Sequence, residues 1–340
     1  MGSLPYGGRY RLIDFALSNL VNAGVTTVGI ITKNNYQSLL DHLGSGKAWD
    51  LSRRSGGLPL LPPFGVNTRG DYTGTAEALN AVISYVRNIP ESEIVLMPAD
   101  IVCNLDLAAA IAQHDASGCG ITAICRGGAV TGEHHRYLTD AHGRVTKLIT
   151  SASAGVAAME IYIVNKDVLL SILDFCAQEN RFHFHRDGLF EYLGRGGTMD
   201  VFLHTGYAVR VDAVADYFAA SMDMLDPDAR ASLFPADRPV RTKERADVST
   251  YYGEHAHVEN CLVADGCFIE GTVTDCILFR GVRVARGAHL SRCIVMQDTC
   301  IAADAILQYA IADKNVRIGP AVTLTGCEAL PIVIPKGSEL

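Results

Sequence analysis

Four short stretches of one pattern decide how the C-terminal third folds: Asn260-Cys261-Leu262-Val263, Asp275-Cys276-Ile277-Leu278, Arg292-Cys293-Ile294-Val295 and Tyr309-Ala310-Ile311-Ala312. Counted at the second residue of each, they are spaced by 15, 17 and 17, and Cys327 follows Ala310 by another 17. Such a spacing is an internal repeat. Within it, apolar residues return about every six positions, as in Cys276, Val282, Ala288 and Cys293, with Gly281 and Gly287 between them. Three hexapeptides per coil, stacked so that small apolar side chains form inward ladders, predict a left-handed parallel β-helix of hexapeptide repeats. Six of the ten cysteines, Cys261, Cys267, Cys276, Cys293, Cys300 and Cys327, fall in this stretch. A cysteine recurring at one place in each coil reads as a small hydrophobe filling a narrow prism, reduced and free of metal.

Upstream, Leu233 to Ser249 carries Pro235, Pro239 and the charge-dense Arg241-Thr242-Lys243-Glu244-Arg245, which predicts a linker over 233–250 between a domain at 1–232 and the β-helix at 251–340. In the first domain helices and strands alternate. Ile13, Ala16, Leu17, Leu20 and Val21 share one helical face over Arg11 to Ala23, and Gly24 is placed to end that helix. Next come a buried strand over Val25 to Thr32, a helix Thr75 to Val86, a strand Ile94 to Met97, a helix Leu107 to His114 and a strand Ile121 to Cys125. A strand Ala157 to Val164, a helix Lys166 to Cys176, a strand Val201 to Tyr207 and a helix Val214 to Met224 complete it. This order predicts an α/β domain with a mostly parallel sheet covered on both faces.

The 340 residues are 49% hydrophobic and 19% charged with a mean hydropathy of +0.16, enough apolar material for real cores, which excludes global disorder. No run approaches the roughly 18 to 20 apolar residues of a membrane span. The opening Met1-Gly2-Ser3-Leu4-Pro5-Tyr6 has neither a signal peptide's apolar core nor the Ser or Thr that myristoylation needs. A cytoplasmic protein is expected. A net charge of −8 and a pI near 5.7, with no basic stripe, argue against nucleic acid as the main partner.

In an open α/β sheet, ligands bind beyond the carboxyl ends of strands. Asp100 stands at such an edge, where it either holds Mg²⁺ beside phosphates or caps the following helix. Thr73-Gly74-Thr75-Ala76-Glu77-Ala78 precedes a helix, and Gly74 would let a ligand approach backbone N–H groups that point outward. A Thr N-cap with acidic support in the first turn explains the same residues without a ligand. In strands, His183 and His185 would share a face, as would His255 and His257; neither pair has a Cys or carboxylate at a fixed metal spacing, and the ordinary reading outweighs a metal site.

These residues resemble a known family. Pro5-Tyr6-Gly7-Gly8-Arg9-Tyr10-Arg11-Leu12-Ile13-Asp14-Phe15, with Leu17-Ser18-Asn19 and Asn22-Ala23-Gly24, closely resembles the segment after the nucleotide loop of glucose-1-phosphate adenylyltransferases. Tyr72-Thr73-Gly74-Thr75-Ala76-Glu77-Ala78 is similar to their Tyr-x-Gly-Thr-Ala-Asp-Ala, and Pro98-Ala99-Asp100 to their Gly-Asp-His region. Ala264-Asp265-Gly266-Cys267 and Leu278-Phe279-Arg280-Gly281 look like their C-terminal β-helix. The resemblance runs nearly end to end and implies a nucleotidyltransferase-like (Rossmann-like) domain before that helix. It also implies the reaction: the phosphate of glucose 1-phosphate attacks the α-phosphorus of ATP, giving ADP-glucose and diphosphate for glycogen synthesis. Mg²⁺, Lys and Arg neutralise the phosphates in such a transfer.

The residues depart from the family where that chemistry is done. The glycine-rich loop and its lysine would lie before Met1, and the domain is expected to lack its first strand as well, so 340 residues reads as an N-terminally truncated length. Asp100 keeps the first metal carboxylate, but Tyr207-Ala208-Val209-Arg210-Val211-Asp212-Ala213 puts Arg210 where the family's second metal Asp stands. One charge pair at 4 Å is worth about 4 kcal/mol at an effective dielectric near 20, so replacing attraction by repulsion shifts divalent-ion binding by more than that. Mg²⁺ is not expected to be held in the family's way. The Glu and Lys that grip the sugar phosphate align with Thr150 and Ser151, and Ala-Ser-Met-Gly-Ile-Tyr aligns with Ala157-Ala158-Met159-Glu160-Ile161-Tyr162, removing a hydroxyl at Ala158 and adding a carboxylate at Glu160. Tyr72 survives on the sugar side, Gly74, Thr75 and Ala76 on the nucleotide side, and Arg11 aligns with an arginine that helps bind an anionic effector or is a surface residue of the first helix.

This pattern resembles the GlgD-type regulatory subunits of the family. It implies an inactive or weakly active chain that tunes a catalytic glucose-1-phosphate adenylyltransferase subunit in a hetero-oligomer. Two other readings compete: an active sugar-phosphate nucleotidyltransferase with a divergent site, and a hexapeptide-repeat acyltransferase whose His base would be His289.

Overall fold

The computed structural model describes the chain except for residues 34–35, 63–71, 128–134 and 151–153. Contacts divide it into two compact units, each discontinuous in sequence. One consists of Met1–Phe15, Ala99–Asn104 and Tyr207–Leu340; the other of Ala16–Pro98 and Leu105–Gly206.

The first unit is built on a parallel β-solenoid of hexapeptide repeats. Three parallel sheets of five strands each form its faces. Strand Ile277–Leu278 stacks on Leu262–Val263 and under Ile294–Val295 in register, and the other two faces repeat this pattern. The register sends Ile269, Val284, Ile301 and Ile318 inward as one column and Val273, Leu290 and Leu307 as another, all at most 2% exposed. Each such aliphatic side chain contributes about 1.5–3 kcal/mol on burial. The residue opening each quoted repeat, Asn260, Asp275, Arg292 and Tyr309, turns a corner with φ between 48° and 51°. Asn and Asp adopt this left-handed backbone most readily among non-glycine residues, and Asn260 donates to the Asp275 carboxylate across the corner. The column behind them holds Cys261, Cys276, Cys293 and Ala310.

That column ends earlier than the spacing predicts. Ile332, not Cys327, is the register partner of Ala310, because the chain makes an extra loop before the last strand, Ile332–Ile334. Cys327 lies in that loop, exposed and bridged to Leu330. Cys300 stands on the outer side of its strand, with Arg283 and Arg317 as register partners. The cysteine surplus is therefore only partly a ladder.

An apolar flank of the solenoid, with Ile277, Phe279, Ile294, Met296 and Ile311, packs in one core with Tyr217, Phe218 and Ala220 of the helix Val214–Asp223 and with Tyr6, Leu12 and Phe15. The Pro-Tyr-Gly-Gly-Arg-Tyr motif accounts for the last group. Pro5–Tyr6 and Tyr10–Arg11 pair antiparallel, and Gly7 and Gly8, at φ +56° and +82°, make the tight return that other residues would resist. Tyr6 donates its hydroxyl to the Ala220 carbonyl and Tyr217 to the Pro5 carbonyl, each at 2.7 Å. Residues 234–250 carry no helix or strand, yet Phe234 stacks on Tyr10 with ring centroids 5.3 Å apart.

The second unit is a mixed sheet with helices, and here the expectation of a mostly parallel sheet is corrected. Its order runs Met199–His204, Ile121–Arg126, Val156–Asn165, His135–Thr139, Val145–Thr150, with Glu93–Leu96 also on Val156–Asn165. Only Met199–His204 with Ile121–Arg126 is parallel in this sheet. Val156–Asn165 is antiparallel to all three of its neighbours, because the chain reaches it from Ile121–Arg126 through the hairpin of His135–Thr139 and Val145–Thr150 rather than through a crossover helix.

Most of the remaining elements lie where the periodicity puts them: helices Leu107–Ser117, Lys166–Gln178 and Val214–Asp223 match within a few residues. Thr75 to Val86 breaks at Val82 into Thr75–Ala81 and Ile83–Asn88. Val25 to Thr32 is not a buried strand: only Ile30–Ile31 is strand, paired with Leu60–Leu61, and both residues are half-buried. Helix Leu12–Asn22 is buried all round from Leu12 to Leu20, Asp14, Ser18 and Asn19 included, instead of on one face. The polar groups there serve backbone donors, Asp14 accepting from Arg11 N at 3.0 Å and Asn19 from Leu105 N at 2.8 Å.

Leu290 sits mid-column between Val273 and Leu307, so Leu290→Ala is expected to lower the unfolding free energy by about 2–5 kcal/mol in urea titrations. Its exposed neighbour His289→Ala should change it by no more than about 0.5 kcal/mol.

Candidate functional site

Asp100 and Arg210 meet on a small ribbon of the solenoid unit. Ile101–Cys103 pairs antiparallel with Ala208–Arg210, placing Arg210 opposite Ile101, and Val211 N donates to the Asp100 carbonyl at 2.9 Å. This register carries the two side chains to the same end. Arg210 Nη2 lies 3.6 Å from Asp100 Oδ2, and Arg210 Nε lies 3.2 Å from Asp212 Oδ1. With side chains 28% and 21% exposed, Arg210 and Asp100 form a pair partly shielded from water. The guanidinium thus bridges two carboxylates. Asp100 is not a helix cap: the next helix, Leu107–Ser117, is capped by Asp106, whose Oδ1 accepts from Ala109 N at 3.0 Å.

Gly74, Thr75 and Ala76 lie in the sheet unit, and what approaches Gly74 is the protein itself. The Phe182 carbonyl accepts from Ala76 N at 2.9 Å and Glu77 N at 3.4 Å, and a Cβ on Gly74 would stand 2.2 Å from that oxygen. The N–H groups expected to point outward to a ligand are therefore engaged within the chain. Thr73 is not the cap either; Glu77 Oε2 accepts from its backbone N–H at 2.6 Å. Tyr72, beside it in the chain, is buried, 9% exposed.

In the same unit the strand Val156–Asn165 carries Ala158, half-buried, and Glu160, whose φ of +56° sits at a bulge between Ala158 and Ile161. Thr150 ends the strand Val145–Thr150, which lies beyond His135–Thr139 in the sheet, and Ser151 lies outside the described residues. Tyr162, on the same strand, belongs to a cluster that sequence reasoning missed. His185 Nδ1 is 2.7 Å from the Tyr162 hydroxyl and 3.1 Å from that of Tyr137, and the His135 ring lies over His185 with centroids 3.8 Å apart. Three segments distant in sequence contribute, so no local signal could have revealed it. His183 and His185 do not share a strand: a π-helix, Phe184–Leu189, begins between them. His257 lies on an exposed strand, 3.6 Å from Glu259, and no group of three or more metal-ligating side chains occurs among the described residues. His289 stands exposed on its strand, between Thr272 and Ile306 on the ladder.

Arg11 belongs to the solenoid unit, on the strand Tyr10–Arg11, with cationic company. The Lys314 amine is pushed below the usual lysine range, first by burial and then by the positive field of Arg11, with Lys336 and Arg245 adding to it against the opposing pull of Asp313. Sequence reading took Arg245 as linker charge and passed over Lys314 and Lys336, because the solenoid turns that gather them are far apart in the chain.

A family model for nucleotidyl transferases matches residues 3–226, and one for the GlmU-like C-terminal hexapeptide matches residues 246–328. The chain belongs to the nucleotidyltransferase family. It is 33% identical to the glycogen biosynthesis protein GlgD of Bacillus subtilis over 337 residues, 99% of this chain and 90% of that protein. It is 30% identical to a glucose-1-phosphate adenylyltransferase of Acetivibrio thermocellus, covering 96% of this chain and 78% of that one, and 29% identical to one of Bacillus cereus, covering 93% and 86%.

Of the positions that the family resemblance marks, Asp100 and Arg210 are brought into contact, and Arg11 lies in the same unit. Tyr72, Gly74, Thr75, Ala76, Ala158 and Glu160 lie in the other. The family's glycine at the helix start is kept here for packing against the Phe182 carbonyl. Gly74→Ala is expected to destabilise the chain by about 1–3 kcal/mol without any ligand, measured by denaturant unfolding; unchanged stability would return Gly74 to a ligand-facing role.

Proposed function

We propose that this chain is a regulatory subunit of glucose-1-phosphate adenylyltransferase in glycogen biosynthesis, inactive or weakly active by itself, working in the cytoplasm in a hetero-oligomer with a catalytic subunit. The reaction tuned would be ATP + α-D-glucose 1-phosphate → ADP-glucose + diphosphate. The relatives support the pathway: their names are those of a glycogen biosynthesis protein and of that transferase. A single observation carries the silent role, the Arg210 guanidinium lying against Asp100. Phosphoryl-type transfer depends on neutralising phosphate charge with a metal held by carboxylates. Here the donor set does not suit a divalent ion, since a fixed cation lies on the carboxylate that would bind it. No Mg²⁺ is held at this place in our reading, and no catalytic step is assigned to it. No helix among the described residues is long and apolar enough to cross a membrane.

The regulatory side of the proposal rests on the cations Arg11, Lys314, Lys336 and Arg245. A half-buried amine whose charged form is disfavoured by like charges gains from a bound anion, so an anionic effector is the ligand class this cluster suits.

The purified chain assayed alone with ATP, Mg²⁺ and glucose 1-phosphate should turn over far below the roughly 10 s⁻¹ ordinary for an enzyme. Adding a catalytic glucose-1-phosphate adenylyltransferase subunit should change that subunit's kcat or effector response. Ordinary turnover by the chain alone would overturn the reading.

Arg210→Asp removes the fixed cation and adds a carboxylate beside Asp100 and Asp212. Isothermal titration with Mn²⁺ is expected to show binding in the variant and none at this place in the unchanged chain. Equal binding in both would mean that Arg210 does not exclude the ion.

A further inference from the structure

One corner of the solenoid stacks three thiols in a column that reaches water at a single end. Leu262 pairs with Ile277 and Ile277 with Ile294 in parallel register, so the residues just before them, Cys261, Cys276 and Cys293, lie directly over one another. Cys276 N donates to Cys261 Sγ at 3.4 Å, and Cys293 N to Cys276 Sγ at 3.3 Å. Cys276 and Cys293 are fully buried, whereas Cys261, in the first coil, is half-buried. All three are free thiols. Adjacent strands lie about 4.8 Å apart, within the Cα separations of roughly 4.4–6.8 Å that a disulfide spans.

We propose that Cys261 and Cys276 form a redox-modification site, in which a peroxide oxidises Cys261 and Cys276 resolves it as an intramolecular disulfide. The Cys261 thiolate attacks one oxygen of hydrogen peroxide. The O–O bond breaks, the sulfur becomes a sulfenic acid, and the departing hydroxide takes up the proton the thiol has lost, leaving as water. The Cys276 sulfur then attacks the Cys261 sulfur; the S–O bond breaks, and the hydroxyl leaves with the Cys276 proton as a second water. Two thiols lose two electrons and two protons in all, and one peroxide is reduced to two waters.

The surroundings give the two sulfurs different parts. The Cys276 thiol hydrogen bond holds the Cys261 thiol below the ordinary range, against an opposing effect of burial, with backbone donors helping. A thiolate is the form that attacks peroxide. Burial raises the thiols of Cys125, Cys176 and Cys267, as it does that of Cys276, which the thiol neighbours push up further. Cys293 is also held low by a Cys276 hydrogen bond but is sealed in the core. Cys261 combines the lowered thiol, the open end and a sulfur directly beneath it. Because the strand register fixes the two backbones, the bond would close without moving a coil, by rotation of the side chains.

The test starts from the unaltered chain. The reduced, full-length chain is treated with hydrogen peroxide, its remaining thiols are blocked with N-ethylmaleimide after unfolding, and it is digested without reduction for mass spectrometry. The expected result is a linked pair of peptides joining Cys261 to Cys276, with loss of Cys276 as a blocked thiol and its full recovery after dithiothreitol. Cys327→Ser should leave the link intact, and Cys261→Ser should abolish it and restore free Cys276. Cys276 recovered entirely as a blocked thiol, whether Cys261 stays reduced, passes to sulfinic acid or links to Cys300 or Cys327, would overturn the proposal.

Discussion

The register of one short ribbon brings two opposite charges together. Because Arg210 stands opposite Ile101 in the pairing of Ala208–Arg210 with Ile101–Cys103, its guanidinium has only to bend back to meet Asp100. Neither side chain is far from water, but each is covered enough for its charge to cost free energy if left alone. Their charges offset one another, and Asp212 Oδ1 lies 3.2 Å from Arg210 Nε. Asp100 therefore has a structural reason to be present that owes nothing to a metal. A carboxylate at the place where a family holds its ion is weak evidence for the ion when a cation from the same chain lies beside it.

The same substitution of internal partners for external ones recurs in the sheet unit. At the helix start Thr75–Ala81, the backbone donors that a phosphate could use instead bond to the Phe182 carbonyl, and the missing Cβ of Gly74 makes room for that oxygen. On the strand Val156–Asn165, the Tyr162 hydroxyl is engaged by His185 and Tyr137. Buried donors and acceptors must find partners, and once a ligand ceases to provide them, the chain's own groups are the available supply. An internal partner also stabilises the empty form, because a ligand must displace a bond already made.

Much of the fold was legible because its signals are periodic. The spacings of 15 and 17 residues gave the solenoid and its column of small residues, and the helices followed from their apolar faces. Where the reading failed, the deciding contact was remote in sequence or had no periodic trace. Cys327 continues the spacing but not the column, since a loop inserted after Thr325 shifts the last strand to Ile332. The alternation of strands and helices says nothing about a hairpin inserted between Ile121–Arg126 and Val156–Asn165, and that hairpin alone reverses the direction of the central strand. At the candidate site, the sequence showed an arginine at position 210, but its contact with Asp100 could not be read from it. The partners of Gly74, of Arg11 and of Tyr162 could not be read at all, because Phe182, Lys314 and His185 are brought near them only by the fold.

Glu160 shows which constraint has outlasted the other. The family pattern has glycine there, and the backbone explains it: φ is +56°, at a bulge between Ala158 and Ile161 on a strand paired on both sides. A non-glycine residue held in such a conformation costs of order 1–3 kcal/mol and persists only where its surroundings over-determine it. Here they do, because Ala157 and Ala158 are paired with Arg126 and Cys125 before the bulge, and Ile161 to Val164 with Ile124 to Ile121 after it. Met159 and Glu160 are the two extra residues of this bulge, standing between Ala158 and Ile161 where the partner strand passes directly from Cys125 to Ile124, so the bulge sets the register in which Ile161 to Val164 are buried. The chain therefore keeps the bent backbone and accepts a strained Glu at its apex. The strand geometry persists because the core enforces it. The pairing enforces that bend but does not require a glycine at its apex, and a carboxylate side chain stands there instead.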